Sequence, residues 1–175
     1  VTNENKQNEN LYRNEGSGNF TKLTDGPLLN DGGNTTSASW ADIDNDGDLD
    51  VFLTNDGGYN SLFKNNGRFN FTKITTDTVA TTPAHSFSSA WSDIDNDGDV
   101  DLVVTNSFHG KSRLVNYLYI NNGNGSFTRN TTDVVATDTS WSYGCAFGDY
   151  DEDGFEDLAI ATCRFGKTDD VDLLY

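Results

Sequence analysis

The sequence has few of the residues on which nucleic-acid interfaces, membrane spans and most active sites depend. It contains 11 lysine and arginine residues against 28 aspartate and glutamate residues, so the formal net charge is -17 at pH 7. This charge repels nucleic acid and anionic membrane surfaces, and cations are the expected partners. No apolar run approaches the roughly 18 residues of a membrane span, and no signal peptide is recognisable. We therefore expect no nucleic-acid binding and no membrane insertion.

Methionine is absent and histidine is rare, since only His85 and His109 are available as bases at neutral pH. Neither histidine lies in a recognisable motif with serine, cysteine or metal ligands, and both are interpreted as surface or turn residues. No glycine-rich phosphate loop is present, and the paired carboxylates give no distinctive support for a glycosidase. We expect no catalytic residues. The chain starts at Val1, which predicts a processed product or a piece of a longer protein.

The chain does contain many rings and a repeated acidic motif. Hydrophobic residues make up only 34% of the sequence, but aromatic residues make up 12%, and no stretch combines a helical period with caps. A core of rings and β-branched residues favours β structure. The length of 175 residues fits one ordinary domain or a short repeat array.

Three features recur with the same two spacings, 51 and 56 residues. Aspartate-rich loops start at Asp42, Asp93 and Asp149. Turn triplets and strand pairs follow in phase: Asn14-Glu15-Gly16, Asn65-Asn66-Gly67 and Asn121-Asn122-Gly123, and Leu11-Tyr12, Leu62-Phe63, Leu118-Tyr119 and Leu174-Tyr175. A structural repeat of about 50 residues indicates a propeller or solenoid-like array.

One repeat unit predicts four short antiparallel strands. The strands are expected at 36–41, 50–54, 61–64 and 69–74, with a tight turn that needs positive φ at Asn65-Asn66-Gly67. Four such strands make one propeller blade. The predicted fold is thus all-β, a β-propeller-type array with two full blades (36–86 and 87–142) between a half-blade with its connection (1–35) and a second half-blade (143–175). Because propellers typically have about 4 to 8 blades, something outside this sequence is expected to cover the open ends.

The aspartate-rich loops predict three Ca²⁺ sites. DIDNDGDLD, DIDNDGDVD and DYDEDGFED all fit D-x-D-x-D-G-x-x-D, in which alternate side chains point inward and the glycine permits a sharp turn. Carboxylates are hard ligands that suit Ca²⁺ rather than zinc or copper. The predicted ligands are positions 1, 3, 5, 7 (through its backbone carbonyl) and 9: Asp42, Asp44, Asp46, Asp48 and Asp50; Asp93, Asp95, Asp97, Asp99 and Asp101; Asp149, Asp151, Asp153, Phe155 and Asp157.

An EF-hand shares the first half of this motif and has to be excluded. Its loop needs a bidentate glutamate at position 12 and a helix on each side. Position 12 is Leu53, Val104 or Ile160 here, each within an apolar run typical of a strand. The EF-hand interpretation therefore fails.

The motifs resemble those of the FG-GAP/VCBS-type repeat family, which includes integrin α-subunit propellers and relatives of cartilage acidic protein. The similar segments are WADIDNDGDLDVFLTN, WSDIDNDGDVDLVVTN and FGDYDEDGFEDLAIAT, followed by LYRNEGSGNFT, LFKNNGRFNFT and LYINNGNGSFT. The resemblance implies a β-propeller with calcium in the hairpin between the first two strands of a blade. It says little about activity, and the family's closed rings usually have seven blades.

Cysteine and asparagine residues suggest covalent modification. Cys145 and Cys163 flank the third loop closely enough for a disulfide, or else they are two small buried apolar residues. Five N-x-S/T sequons are candidate glycosylation sites, with common Asn and Thr as the alternative explanation: Asn19, Asn34, Asn70, Asn124 and Asn130.

We expect a non-enzymatic, extracellular or cell-surface calcium-binding structural or adhesion module. The two half-blades predict head-to-tail assembly with copies of the same chain, as a ring or a filament. The alternative is a fragment of a larger ligand-binding propeller from a receptor, lectin or adhesin. A propeller-fold enzyme domain is the third hypothesis.

Overall fold

The computed structural model of the protein describes residues 8–109, 112–162 and 173–175. It is all-β, with sixteen strands among the described residues: β1 Tyr12–Gly16, β2 Asn19–Lys22, β3 Thr35–Ala41, β4 Asp50–Tyr59, β5 Ser61–Asn65, β6 Phe71–Ile74, β7 Pro83–Ser92, β8 Asp101–Asn106, β9 Phe108–His109, β10 Ser112–Val115, β11 Tyr117–Asn121, β12 Phe127–Asn130, β13 Thr139–Ser140, β14 Ser142–Gly148, β15 Asp157–Thr162 and β16 Leu173–Leu174. The helices in this part of the chain have four residues each: a 3-10 helix at Pro27–Asn30, α1 at Thr78–Thr81 and α2 at Val134–Thr137.

Two four-stranded antiparallel units form the centre of the molecule. The first unit has the order β3-β4-β5-β6, and the second has the order β7-β8-β11-β12. The far end of β4 also pairs with β7, at Asp56 opposite His85 and Tyr59 opposite Pro83, so that the two units join in one curled sheet. The all-β fold and the four strands predicted for each unit are confirmed. The fourth strand of the first unit begins at Phe71 rather than at the predicted Phe69, because Arg68 and Phe69 have positive φ and belong to the turn.

The strand register repeats with the sequence. Leu62 lies opposite Phe52 between β5 and β4, and Leu118 lies opposite Val103 between β11 and β8. Leu174 of β16 lies opposite Ala159 of β15 in the same way. The spacing read from the sequence is therefore also the spacing of the third strand in each sheet.

The second unit contains an insertion, which accounts for the longer of the two repeat spacings. Asn55 N–H donates to Asn60 Oδ1 at 2.9 Å, and Asn106 N–H donates to Asn116 Oδ1 at 3.1 Å. The second pair is five residues further apart in sequence. The extra residues fall in the region of β9 and β10, which form a small sheet with β13 that the sequence analysis did not predict.

Incomplete sheets lie on either side of the two units. β1 and β2 form a two-stranded sheet whose residues are all exposed. β14, β15 and β16 form a three-stranded sheet. Residues 1–7, at the start of the half-blade predicted at 1–35, lie outside the described residues. The division of the chain into blades and half-blades stays a prediction.

The core consists of layers between neighbouring sheets. Val51 and Leu53 of β4 face a cluster on the β1 side, whereas Phe52 faces the second unit. Leu102 and Val104 of β8 complete that middle cluster, and Val103 faces Leu158 and Ile160 of β15. Since side chains alternate along a strand, each central strand supplies both of its faces to the core. This explains why the second strands read as continuous apolar runs.

The one-turn helices were not predicted. Asp77 accepts a hydrogen bond from Val79 N–H at 3.1 Å, and Asp133 accepts one from Val135 N–H at 3.0 Å. Both aspartates are N-caps, but four residues are too few to show a helical period. The described part of the chain contains no helix long and apolar enough to cross a lipid bilayer.

Candidate metal centres

Each aspartate-rich loop connects the first strand of a sheet to the second. The first loop follows β3 and ends where Asp50 begins β4. The second loop lies between β7 and β8, and the third between β14 and β15. All three loops therefore lie at corresponding corners of successive sheets, as the repeat predicted.

The position-1 aspartate organises each loop through backbone hydrogen bonds. Asp42 Oδ1 accepts from Asp46 N–H at 3.0 Å, and Asp42 Oδ2 accepts from Gly47 N–H at 2.8 Å. The same pair of bonds recurs in the other loops, to Asp93 from Asp97 and Gly98 and to Asp149 from Asp153 and Gly154. Both carboxylate oxygens are thus held in place by the loop that they enclose.

The tight turn needs two residues with positive φ rather than one. The position-6 glycine has φ of 89° at Gly47, 96° at Gly98 and 91° at Gly154, which confirms the role predicted for it. Position 4 is also left-handed, at 56° for Asn45 and 58° for Asn96. Asparagine is among the few side chains that tolerate this conformation. Asparagine at position 4 of two of the three loops is therefore the sequence feature that indicates this second left-handed residue.

Positions 1, 3 and 9 come together in all three loops. One carboxylate oxygen from each residue lies within 4.8 Å of the others in these triads: Asp42, Asp44 and Asp50; Asp93, Asp95 and Asp101; Asp149, Asp151 and Asp157. Three converging carboxylates form a set that can hold a hard cation.

The residues predicted at positions 5 and 7 lie outside these triads. Asp46 Oδ1 accepts a hydrogen bond from Asp48 N–H at 3.0 Å, and the bond recurs from Asp99 to Asp97 and from Phe155 to Asp153. The side chain of Asp48 approaches the turn glycine Gly67, where an added Cβ would lie 3.3 Å from its Oδ2. The role of positions 5 and 7 as metal ligands stays a prediction.

The position-9 aspartates link each loop to its sheet. Asp50 is 1% exposed, and it accepts hydrogen bonds from Ile43 N–H at 3.0 Å and from Asn65 N–H at 2.7 Å. The same bonds reach Asp101 from Ile94 at 3.1 Å and from Asn121 at 2.8 Å. The Asn-Asn-Gly triplets, interpreted only as turns, therefore supply a donor to the site.

Burial and crowding raise the pKa of these inner carboxyls. Desolvation raises the pKa of Asp101 to about 6, although its two backbone donors oppose the effect, and the neighbouring Asp95 and Asp97 raise it further. Desolvation raises the pKa of Asp50 in the same way. A buried acid among other acids is stabilised in its charged form by a bound cation.

A lysine of a neighbouring strand pairs with the first loop. Lys64, in β5, forms an ion pair with Asp44, and its Nζ lies 3.5 Å from Asp46 Oδ2. The pKa of Lys64 is raised, mainly because its ammonium group donates a hydrogen bond to Asp44. No described residue forms a salt bridge with the second or third loop.

Hydrogen bonds also join the first loop to the second unit. Asn45 Nδ2 donates to Asp99 Oδ1 at 2.7 Å. Asn121 Nδ2 donates to the carbonyl oxygen of Ile43 at 2.8 Å, while its N–H holds Asp101. The first two loops are therefore neighbours that share polar contacts.

One observation in the first triad indicates a divalent cation there. Asp44 Oδ1 is buried and has no hydrogen-bond partner in the described part of the chain. An unpaired buried carboxylate oxygen is costly, and a metal ion at this point would satisfy it. The donors of the triads are all carboxylate oxygens, the ligand type that Ca²⁺ and Mg²⁺ prefer.

The other predicted residues are scattered over the surface. Asn19, Asn70 and Asn124 are exposed, and Asn34 and Asn130 are half-buried. Cys145 lies in β14, where burial raises the pKa of its thiol to about 11. Cys163 lies outside the described residues, so both the disulfide and glycosylation stay predictions.

The two histidines were interpreted as surface or turn residues. His85 is instead a half-buried residue of β7, with Nδ1 2.7 Å from Asp56 Oδ1. The side chain of His109 is not among the described ones.

A family model of an FG-GAP-like repeat matches the chain three times, at residues 1–53, 42–104 and 93–160. The three matches overlap and together cover most of the sequence. Each of the first two matches ends just beyond one acidic loop and overlaps the next match at that loop. A comparison with curated proteins found no match.

Proposed function

Because the chain belongs to the FG-GAP-like repeat family, we propose that it is a calcium-stabilised module of a β-propeller that supports or binds a partner instead of catalysing a reaction. The recurrence of the same three-carboxylate triad at the same corner of three successive sheets carries this proposal. Proteins of this family are typically non-enzymatic and extracellular or on the cell surface.

The packing of the first strands supports a propeller arrangement. β3 and β7 lie side by side, with Ser39 Oγ 2.8 Å from Ser89 Oγ and Thr36 Oγ1 donating to the carbonyl oxygen of Ser86 at 2.8 Å. β7 in turn contacts β14, where the rings of Phe87 and Tyr143 are 4.7 Å apart. The first strands of three successive sheets thus gather along one side, as the inner strands of blades do around an axis.

Ca²⁺ is the ion that we assign to the triads. Each triad supplies three carboxylates on a loop with an exposed outer side, which leaves room for further oxygen ligands and water. Ca²⁺ accepts six to eight oxygens in flexible geometry, whereas Mg²⁺ demands a near-ideal octahedron. Binding three Ca²⁺ ions would also offset part of the net charge of -17.

Thermal unfolding of the chelator-stripped protein tests this assignment. Ca²⁺ at about 100 times the dissociation constant should add about 2.7 kcal/mol to the free energy of unfolding for each site. For a chain of this size, each site should therefore raise Tm by roughly 5 to 10 °C. The variant Asp95→Asn changes one exposed ligand and should lose about a third of the gain. Unchanged Tm in millimolar Ca²⁺ would refute the calcium assignment, and an equal gain with Mg²⁺ would refute its selectivity.

For partners, we propose that copies of this chain associate through their incomplete sheets. In the described residues, β14 and β15 supply the first two strand positions of a unit and the two-residue β16 begins the third. β1 and β2 correspond to the rest of the third position and to the fourth. Pairing of the two would be head-to-tail and would give a ring or a filament. Light scattering of the calcium-loaded protein should detect dimers or larger species, and a monomer at about 100 μM would contradict the proposal.

Ligand binding is a second candidate function, favoured by a cavity of about 730 Å³ at the strand ends opposite the metal centres. Its lining includes Asp31, Asn55, Asp56, Tyr59 and Lys73, so polar groups surround one exposed aromatic ring. Such a mixture suits a polar ligand with apolar faces. A ligand that binds in this cavity should shift the amide resonances of Gly57 and Gly58, and Tyr59→Ala should abolish that shift. Binding that is insensitive to Tyr59→Ala would exclude this cavity.

A further inference from the structure

Lys64 distinguishes the first metal centre from the second. The two loops have the same sequence except at position 8, which is Leu49 in one and Val100 in the other. Their position-9 aspartates are equally buried and accept the same backbone hydrogen bonds. A difference in affinity between the two centres must therefore come mainly from their surroundings.

The surroundings differ in charge at one matched position. Lys64 immediately precedes Asn65, the residue whose N–H holds Asp50, so its backbone is fixed against the first centre. The side chain pairs with Asp44 and reaches Asp46, which are positions 3 and 5 of the loop. The corresponding residue of the second unit, 56 positions further on, is Ile120, which packs against an apolar cluster.

We propose that the ammonium group of Lys64 is a built-in competitor for Ca²⁺ at the first centre, which lowers the calcium affinity of that centre below that of the second. The proposal rests on the proposed calcium function. A divalent ion that binds Asp44 through its unpaired Oδ1 must share the carboxylate with the ammonium group on Oδ2, and it meets the repulsion of this nearby positive charge. The second centre has no such competitor among the described residues.

The expected difference is moderate. Lys64 is partly exposed, with 32% of its side chain accessible, whereas the side chain of Asp44 is 14% accessible. Ion pairs at exposed sites correspond to factors of up to about five in an equilibrium constant. We therefore expect Ca²⁺ to bind the first centre roughly fivefold more weakly than the second. The first loop would fill with calcium only after the second.

Amide NMR of the full chain can measure each centre separately. Gly47, Gly98 and Gly154 each donate an N–H to the position-1 aspartate of their own loop, so each resonance reports one centre. In a Ca²⁺ titration of stripped protein, the Gly98 resonance should reach its midpoint at roughly fivefold lower free Ca²⁺ than the Gly47 resonance.

Two reciprocal variants and one control decide the proposal. Lys64→Ile should move the Gly47 midpoint to that of Gly98, and Ile120→Lys should move the Gly98 midpoint towards higher Ca²⁺. Lys22→Ile, with the same charge change on the exposed strand β2, should leave both midpoints in place. If Ile120→Lys does not fold, the comparison of Lys64→Ile with Lys22→Ile decides alone.

The same titration distinguishes a wrong role for Lys64 from a wrong assignment of calcium binding. Equal midpoints of Gly47 and Gly98 in the wild type, unchanged by Lys64→Ile, would overturn the role of Lys64 while calcium binding stands. If none of the three glycine resonances responds to millimolar Ca²⁺, the calcium function itself is refuted and this inference falls with it.

Discussion

Asp101 should give the metal-free protein a pH dependence opposite to that of an ordinary paired aspartate. Asp101 is only 1% exposed, and desolvation raises the pKa of its side chain from 3.8 to about 6. A raised pKa in the folded state means that folding favours the protonated acid, so this stability is complete below pH 4 and is lost as the pH rises through 6. The difference corresponds to about 3 kcal/mol.

Urea unfolding in EDTA between pH 4 and pH 7.5 measures this effect. The contribution of Asp101 to the free energy of unfolding should fall by about 2 to 3 kcal/mol over this range. Asp101→Asn should remove this part of the slope, because an amide does not ionise. The slope is the informative quantity, since the amide also places a donor against a backbone N–H and lowers stability at every pH. Asp25→Asn, on the exposed surface, controls for net charge.

Calcium should reverse the sign of this dependence, because the ion binds the ionised carboxylates and its affinity rises with pH. With millimolar Ca²⁺, the free energy of unfolding should therefore increase from pH 4 to pH 7. A metal-free wild type with constant stability between pH 5 and pH 7, or an Asp101→Asn variant with the wild-type slope, would refute the assignment of a raised pKa to this residue.

Three further predictions concern stability and are measured by urea unfolding in calcium. Phe52→Ala should cost about 3 to 5 kcal/mol, because Phe52 is fully buried between the two units; a cost below 1 kcal/mol would contradict the packing described. Asp77→Ala should cost about 1 kcal/mol more than Asp133→Ala, since both cap a one-turn helix but only Asp77 also accepts from the first residue of β12; equal costs would argue against that second bond. The Asn45→Gly variant should be about 1 kcal/mol less stable than the Asn96→Gly variant, because of these two residues only Asn45 has a described bond to the neighbouring loop; equal stability of the two variants would show that this bond contributes nothing.

The acidic loops could be predicted from the sequence because their chemistry is local. Nine residues contain the carboxylates and the turn glycine, and positions 1, 3 and 9 converge within each loop. The contributions of Asn65 and Asn121 come from a strand that follows in sequence but is adjacent in the sheet, and an Asn-Asn-Gly triplet has an adequate explanation as a turn. Lys64 was missed for the same reason, because its distance from Asp44 depends on the pairing of β5 with β4.

The insertion in the second unit shows what the buried asparagines do. A second strand and a third strand are joined by an asparagine bond at one end, Asn55 to Asn60 or Asn106 to Asn116, and by an aspartate–asparagine bond at the metal end. Because a buried polar group that loses its partner is costly, these bonds resist a slip in register more strongly than the apolar contacts alone. The connection between the two strands can therefore change in length without changing the sheet, as the five extra residues of the second unit show. The end of the molecule opposite the metal centres is thus where sequence can vary at low cost, and a ligand surface that differs between relatives would be expected there.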